Sequence, residues 1–373
     1  RRLPCRLRIG ISEQRGTSQP DAQPPLAVAR VDSVVRGILA RSVRTIPNAS
    51  AGPNPDPMSN PAPDMPLQPL VPRPQTFLGI PAATLPTAGS AAIFGAVHGT
   101  PYASAPGESA GETGPDAVRR AITAASVHID HWDFDFDGPL LNDGRLQAFD
   151  LGDVATAHDD AAGNRRNIES VTRAVLDAGA VPILIGGDDS VAVPFMRAFD
   201  GREPIHLLQI DAHIDWRDEI DGERFGYSST VRRASELGCM ASITQVGIRA
   251  VGSARRQEVE TALRWGSRIV TAAEARRDGA EAVADLLPRD LPLLIHIDCD
   301  AMDPSVCPGV NARSPGGLAF HEMTALIGAA MNGRRLAGFS IVEFQPRADV
   351  NDMTAAVVGR LVSHVLGRLA RKD

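Results

Sequence analysis

The sequence contains little lysine and few aromatic residues. Its 373 residues include a single lysine, Lys372, beside 37 arginines, and aromatic residues make up 4%. It also has no apolar run of about 18 residues, which argues against a membrane-spanning helix. The formal net charge of −7 leaves no basic stripe for neutralising phosphates, so we expect no nucleic-acid partner and no membrane partner.

Cysteine is scarce as well. The four cysteines, Cys5, Cys239, Cys299 and Cys307, are irregularly spaced and form neither a disulfide framework nor a Cys-x-x-Cys zinc site. This cysteine usage is typical of a reducing compartment, and we expect the protein in the cytoplasm. A hydrophobic content of 43% over this length is sufficient for one large α/β domain with a sizeable core.

The first part of the chain differs from the rest in composition. Residues 1–74 hold 14 of the 29 prolines, and the first 46 residues carry nine arginines against three acidic residues. An Arg-rich, acid-poor start is typical of a transit peptide, whereas the arginine bias of the whole chain and an internal Met58 favour a disordered or wrongly assigned extension. Because large apolar residues are few, we predict a disordered Pro/Arg-rich extension over residues 1–75 and a folded domain over residues 76–373.

From about Thr76 the sequence alternates between short apolar runs and amphipathic stretches. The runs are apolar on both faces, which is typical of buried parallel strands. We predict strands at 91–97, 147–151, 181–185, 205–210, 242–248, 293–297 and 337–342. The helical stretches include 114–125, 165–178, 254–265, 279–287 and 320–330. This alternation predicts an α/β fold with a mostly parallel central sheet covered by helices on both faces.

Acidic residues follow four of the predicted strands. Residues with charged side chains at these strand ends are Asp188, Asp189, Asp211, His213, Asp215, Asp298, Asp300 and Glu343. Ligands of such sheets bind at the carboxyl ends of the strands. Asp211, His213 and Asp215 are spaced two residues apart, and so are Asp298 and Asp300, so that an extended backbone directs each set to one face.

This pattern favours a metal site over a set of helix caps. A single aspartate after a strand is more often an N-cap, but D-x-H-x-D and D-x-D each follow an apolar strand here. Carboxylates that converge on one buried point repel one another unless cations hold them. One histidine among oxygen ligands suits Mn²⁺ and disfavours a thiolate zinc site. Two such ions could share carboxylates and deprotonate a water at neutral pH.

Two segments resemble motifs of the ureohydrolases, the family of arginase, agmatinase and guanidinobutyrase. They are Asp211-Ala-His213-Ile-Asp215 and Asp298-Cys-Asp300-Ala-Met-Asp303-Pro304, and the resemblance covers about residues 76–370. It implies an arginase-like three-layer α/β/α fold for a catalytic domain over residues 76–373. It also implies two Mn²⁺ ions per chain and hydrolysis of a small guanidino substrate to urea and an amine by a metal-bridging hydroxide. The segments at 72–81 and 316–318 are similar to those of agmatinases, which act in polyamine metabolism.

The same resemblance assigns the metal ligands. Asp211 and Asp298 would bridge both ions, Asp215 would bind the first ion, and His213 and Asp300 would bind the second. The family also suggests a homotrimer or a homohexamer.

The resemblance further implies roles in catalysis. Glu343 would pair with the substrate guanidinium, because a planar cation binds a carboxylate through two hydrogen bonds. Asp215 would orient the hydroxide and pass a proton to the leaving nitrogen. His98 and Ser228 are the candidate substrate contacts, His98 because it ends the first strand.

Two departures from the family pattern concern the same site. The family motif G-G-D-H-S places a histidine on the first ion, whereas this sequence has Asp189, which can still ligate through oxygen but adds negative charge. The family's H-G-T segment corresponds to residues 226–234, which contain no histidine to shuttle protons. His296 shares the face of Asp298, and we interpret it as a packed residue rather than a ligand.

Alternatives therefore remain open at this point. A catalytically impaired pseudoenzyme of the same fold is the rival from another class. Guanidinobutyrate, another guanidino acid and formiminoglutamate are alternative substrates, and nickel is an alternative metal. We interpret Asp303, which precedes Pro304, as a residue that stabilises a turn.

Overall fold

A parallel sheet forms the centre of the fold. The computed structural model describes residues 70–104, 113–123, 128–252 and 254–372. The strands in these ranges are β1 (Ala91–Ala96), β2 (Trp132–Asp133), β3 (Gly138–Pro139), β4 (Ala148–Asp153), β5 (Val181–Gly186), β6 (Ile205–Ile210), β7 (Met240–Ile248), β8 (Arg268–Thr271), β9 (Leu293–Asp298) and β10 (Leu336–Val342). Eight of them pair in parallel in the order β4-β1-β5-β10-β9-β6-β7-β8, and β2 and β3 form a separate antiparallel pair.

Helices cover both faces of the eight-stranded sheet. In chain order they are α1 (Gly114–Thr123), α2 (Ala161–Asp177), α3 (Ala192–Arg197), α4 (Thr230–Ala234), α5 (Arg256–Trp265), α6 (Ala272–Asp278), α7 (Ala280–Ala284), α8 (Phe320–Met331) and α9 (Met353–Leu369). Residues of α1 and α6–α9 pack on one face, and residues of α2–α5 pack on the other, each with its own hydrophobic cluster. Ile295 and Ile297 of β9 face the first cluster and Leu294 faces the second. The predicted three-layer α/β/α fold is confirmed.

The predicted strands all appear, with ends shifted by at most two residues. The edge strand β8 was not predicted, because four residues that begin with Arg268 carry too little apolar pattern. The five predicted helices are present with shifted ends, and residues 124–125 of the first lie outside the described residues. Helices α3, α4, α6 and α9 add to the predicted set.

Residues 70–75, which the prediction assigned to the extension, contact the domain. Val71 and Asp153 exchange backbone hydrogen bonds of 2.8 and 3.0 Å, and Arg73 Nη2 lies 2.6 Å from Asp153 Oδ2. Arg119 of α1, which is 1% exposed, donates to both carboxylates of β4: to Asp150 at 2.8 and 2.9 Å and to Asp153 at 2.6 Å. This buried ion cluster fixes the segment to the sheet. Residues 1–69, including Met58, lie outside the described residues.

The topology places four acid-bearing strand ends side by side. Strands β5, β10, β9 and β6 are consecutive neighbours in the middle of the sheet. Their carboxyl ends therefore meet at one edge, as expected for parallel strands. Within the described parts of the chain, none of the helices combines the length and the hydropathy that a bilayer crossing requires.

Candidate metal centre

Every predicted ligand lies at this shared edge of the sheet. Asp189 follows β5, and the Asp211–Asp215 segment follows β6. Asp298 ends β9, Asp300 lies in the 3-10 turn after it, and Glu343 follows β10. The five aspartates predicted to bind metal are between 0% and 6% exposed. The sequence prediction that these residues come together at one place therefore agrees with the observed topology.

Three of the six predicted ligands already form a compact group. One atom each of Asp211, His213 and Asp300 lies within 4.8 Å of the other two. His213 Nδ1 is 3.1 Å from Asp300 Oδ2 and 3.5 Å from Asp211 Oδ1. Hydrogen bonds with Asp211 and then with Asp300 raise the pKa of His213 to about 10 despite its burial. The two carboxylates thus strongly favour a positive charge between them.

The surroundings of Asp215, Asp298 and Glu343 disfavour the charged form of their carboxyl groups. Burial, followed by the charge of Asp211, raises the pKa of Asp215 well above its usual range. Burial, followed by the charge of Asp300, does the same for Asp298, and burial with the charge of Asp188 does so for Glu343. Groups of this kind are ionised together only when cations share the site. Oxygen donors with one imidazole fit a hard-to-borderline divalent ion.

Asp189 contacts a histidine that sequence reasoning did not connect with it. Asp189 Oδ1 lies 2.8 Å from His296 Nε2, and the two side chains are 2% and 0% exposed. Within the described residues, however, neither oxygen of Asp189 nor His296 Nε2 has a hydrogen-bond partner. His296 Nδ1 lies 2.9 Å from Ser340 Oγ on the neighbouring strand.

A row of polar side chains crosses the sheet directly beneath the acids. It consists of Ser340, His296, Gln209 and Gln245, which are register partners on β10, β9, β6 and β7. We call it the polar row. All four side chains are buried, which is unusual for interior strands and marks them as functional or hydrogen-bonded. Polar residues within otherwise apolar strands were the signal by which the sequence could have revealed the polar row.

The polar row orients two of the ligands. Gln209 Nε2 donates to Asp211 Oδ2 at 2.7 Å and to Asp215 Oδ2 at 2.9 Å. Gln245 Nε2 donates in turn to Gln209 Oε1 at 2.5 Å and to the carbonyl of Ile214 at 2.8 Å. Such supporting hydrogen bonds fix the orientation of carboxylate ligands.

An arginine holds the loop that follows β9. Arg249 donates to the carbonyls of Asp300 at 2.6 Å and Ala301 at 3.2 Å, and also to Ser314 at 2.5 Å. Asp303 lies farther along this loop, and its carboxylate accepts hydrogen bonds from Ser305 and Gly316. The prediction that it stabilises a turn is confirmed. Arg249 was missed because its partners are carbonyl groups, which leave no trace in a sequence.

Asp215 and Glu343 have left-handed backbones, with φ of 42° and 63°. Side chains other than glycine seldom adopt this region, and such strain concentrates at functional sites. Glu343 is held there by donation from its N–H to the carbonyl of Gly187 at 2.8 Å, and its Oε1 accepts from the N–H of Asp189 at 2.8 Å. The two predicted catalytic residues therefore occupy positions that the surrounding backbone enforces.

The two candidate substrate contacts lie in different surroundings. The ring of His98 is 6.0 Å from that of His158, and the backbone N–H of His98 donates to the hydroxyl of Thr156. Ser228 is buried, and its N–H donates to the hydroxyl of Tyr102 at 3.0 Å. The Ser228 carbonyl accepts from Arg217, two residues beyond Asp215, so Ser228 lies near the acid cluster.

Comparisons with known proteins agree with this architecture. The profile of the Arginase family matches residues 91–367. Arginase 1, mitochondrial, of Oryza sativa subsp. indica is 29% identical over 268 residues, which cover 69% of this chain and 76% of that protein. The agmatinase of Pyrococcus horikoshii is 28% identical over 259 residues, which cover 69% of this chain and 85% of that protein.

A solved structure extends the comparison to the fold. Proclavaminate amidinohydrolase from Streptomyces clavuligerus superposes with a TM-score of 0.71 at 25% identity, covering 83% of this chain and all of that one. The matched profile includes all the strand ends that carry the acids. The predicted ureohydrolase resemblance is confirmed: the chain belongs to the Arginase family of hydrolases that act on guanidino compounds.

Proposed function

We propose that this protein hydrolyses a linear guanidino compound of the agmatine type to urea and an amine, with two Mn²⁺ ions per chain. The observation that carries the proposal is the convergence of five buried aspartates, one histidine and Glu343 at four adjacent strand ends. The raised pKa values of Asp215 and Asp298 support it, because they reflect a site that divalent cations would stabilise.

We assign the metal ligands by chemistry and position. Asp211 and Asp298 would bind both ions, and His213 and Asp300 would bind the second, in line with their short mutual distances. Asp215 and Asp189 would bind the first ion. When bound, such ions provide a hydroxide nucleophile at neutral pH and stabilise developing negative charge.

Glu343 is proposed to hold the substrate guanidinium. Its backbone is fixed by Gly187, and its carboxylate stays at the end of β10 through the N–H of Asp189. A carboxylate fixed in this way can accept two parallel hydrogen bonds from a planar guanidinium. Burial, followed by the charge of Asp188, raises the pKa of Glu343, and the substrate cation would offset that charge.

Asp215 is proposed to pass a proton to the leaving nitrogen. Gln209 fixes one of its oxygens, and its left-handed backbone fixes the direction of the side chain. His98 and Ser228 are proposed substrate contacts. The alternative is a catalytically impaired pseudoenzyme of the same fold. Asp189 and the lack of a histidine in residues 226–234 favour this alternative.

The substrate and the setting are also proposals. An arginase and an agmatinase match this chain at 29% and 28% identity. Overall similarity therefore supports a guanidino substrate but does not distinguish between substrates that differ in the rest of the molecule. We propose agmatine and a role in polyamine metabolism, with guanidinobutyrate or another guanidino acid as the alternative. We also propose a cytoplasmic homotrimer or homohexamer.

The test is urea release from agmatine, arginine and 4-guanidinobutyrate, with added Mn²⁺ or Ni²⁺. We expect the highest kcat/KM for agmatine with manganese. Glu343→Gln should lower kcat/KM by about 10²–10⁴-fold, because two charge-assisted hydrogen bonds are lost. Asp303→Asn is the matched control and should keep its activity. A protein that binds two manganese ions per chain but releases no urea from any substrate would favour the pseudoenzyme.

A further inference from the structure

His296 of β9 and Asp189, which follows β5, form a buried pair of candidate metal ligands. Strand β10 lies between β5 and β9 in the sheet. Asp189 Oδ1 and His296 Nε2 are 2.8 Å apart and almost fully buried. We propose that His296 is a metal ligand, and that it supplies to the first ion the imidazole that Asp189 does not. This inference rests on the proposed function and specifies one ligand of the same site.

The hydrogen bonding of the ring leaves Nε2 available. Nδ1 lies 2.9 Å from Ser340 Oγ, and donation to this hydroxyl places the lone pair of the neutral imidazole on Nε2. Histidines that bind metals characteristically donate their other ring N–H in this manner. Ser340 therefore orients the ring of His296 toward Asp189.

An ordinary ion pair does not account for the contact. In the described part of the chain, both oxygens of Asp189 and Nε2 of His296 lack hydrogen-bond partners, although two of these atoms are only 2.8 Å apart. Buried polar atoms are nearly always satisfied. Two ligand atoms that each lie about 2.1 Å from one cation, at a right angle, are separated by about 3 Å. A shared cation satisfies all three orphaned atoms.

Position in the sheet explains how an imidazole can come from a different strand. His296 lies two residues before Asp298, so both side chains point to the same face of β9. The ring extends from β9 over β10 toward the residue that follows β5. The family motif described above has a histidine where Asp189 stands. Here an aspartate stands at that position, and an imidazole from β9 lies beside it instead.

His206 provides a matched control. It is also buried on an interior strand, its Nδ1 lies 2.7 Å from Ser242 Oγ, and its Nε2 has no partner among the described residues. The charges that act on it are those of Arg334 and Arg268, not of carboxylates. Asparagine at either position retains an amide near the serine and removes Nε2.

The experiment measures manganese binding to the purified full chain by titration and by metal analysis after gel filtration. The wild type and His206→Asn should bind two ions per chain with equal affinity. His296→Asn should bind one of them at least about 10-fold more weakly. In pulsed EPR of protein with ¹⁵N-labelled histidine, the wild type should show nitrogen coupling from two ligands, and His296→Asn from one.

A second variant keeps the proposal testable if His296→Asn does not fold. Asp189→His with His296→Ser returns the imidazole to the end of β5 and should restore two-ion binding, whereas Asp189→His alone should not, because two rings then compete for one space. Unchanged affinity and unchanged nitrogen coupling in His296→Asn, or stronger binding by Asp189→His alone than by the double variant, would overturn the ligand role and leave the proposed function intact. A wild-type chain that binds no manganese would overturn both.

Discussion

Replacing His206 with asparagine is expected to make the fold more resistant to acid. His206 lies on β6, is 2% exposed and has Nδ1 2.7 Å from Ser242 Oγ. Burial, followed by the positive charges of Arg334 and Arg268, lowers the pKa of its imidazole from 6.5 to about 4. Between these values the unfolded chain binds a proton that the folded chain excludes. This contribution to stability is therefore complete above pH 6.5 and is lost as the pH falls toward 4.

The size of the effect follows from the two pKa values. One pKa unit corresponds to about 1.4 kcal/mol, so His206 should lower the free energy of unfolding by about 2 kcal/mol between pH 7.5 and pH 5. The loss should reach about 3 kcal/mol at pH 4. His206→Asn has no titrating group at this position, and this part of the pH dependence should disappear.

The assay is urea unfolding followed by far-UV circular dichroism at several pH values between 7.5 and 4.5. All other titrating groups are common to both proteins, so the difference between the two curves isolates His206. Parallel curves for the wild type and His206→Asn would refute the reasoning. The variant would also allow activity to be measured at lower pH without unfolding.

Three further predictions concern the metal ligands, the polar row that orients them, and the buried ion cluster around Arg119. Asp298→Asn should empty at least one of the two proposed metal positions, whereas Asp303→Asn, whose carboxylate binds turn N–H groups, should retain both; equal metal loss would contradict the assigned roles. Gln209→Leu should weaken manganese binding by about 10–100-fold in a titration, because it removes donors to two ligands, and unchanged affinity would make this support irrelevant. Arg119→Met should cost about 3–5 kcal/mol in urea unfolding, because Asp150 would remain buried without its partner; a loss below 1 kcal/mol would contradict this.

The positions of the acids were predictable because parallel topology leaves little choice. An apolar run that is buried on both faces predicts a parallel strand, and parallel strands present their carboxyl ends at one edge. No knowledge of strand order was needed for this part of the site. The extended backbone that the spacing predicted for Asp211-x-His213 and Asp298-x-Asp300 is not observed, because the chain bends at residues 211–213 and forms a 3-10 turn over Cys299–Ala301.

The contact between His296 and Asp189 was not predictable in the same way. It depends on the order β5-β10-β9, in which β10 comes last in the chain but lies between the other two. The polar row depends likewise on registers, such as Gln209 beside His296, that a single sequence does not encode locally. The contact of Val71 with Asp153 was missed because a Pro-rich segment has no apolar pattern that would indicate packing.

The hydrogen bonds of the polar row have a direction. Ser267 Oγ donates to Gln245 Oε1, Gln245 Nε2 donates to Gln209 Oε1, and Gln209 Nε2 donates to the carboxylates of Asp211 and Asp215. Neither amide can rotate by half a turn alone, since oxygen would then face oxygen. The carboxylates that follow β6 can only accept, so they fix which end of Gln209 faces them, and the carbonyl of Ile214 fixes Gln245 in the same sense. The Ser267 hydroxyl, just before β8 and two strands away, completes the chain as a donor. Glu in place of Gln209, although nearly identical in shape, would reverse this polarity at its last step and present a repelling oxygen to both aspartates.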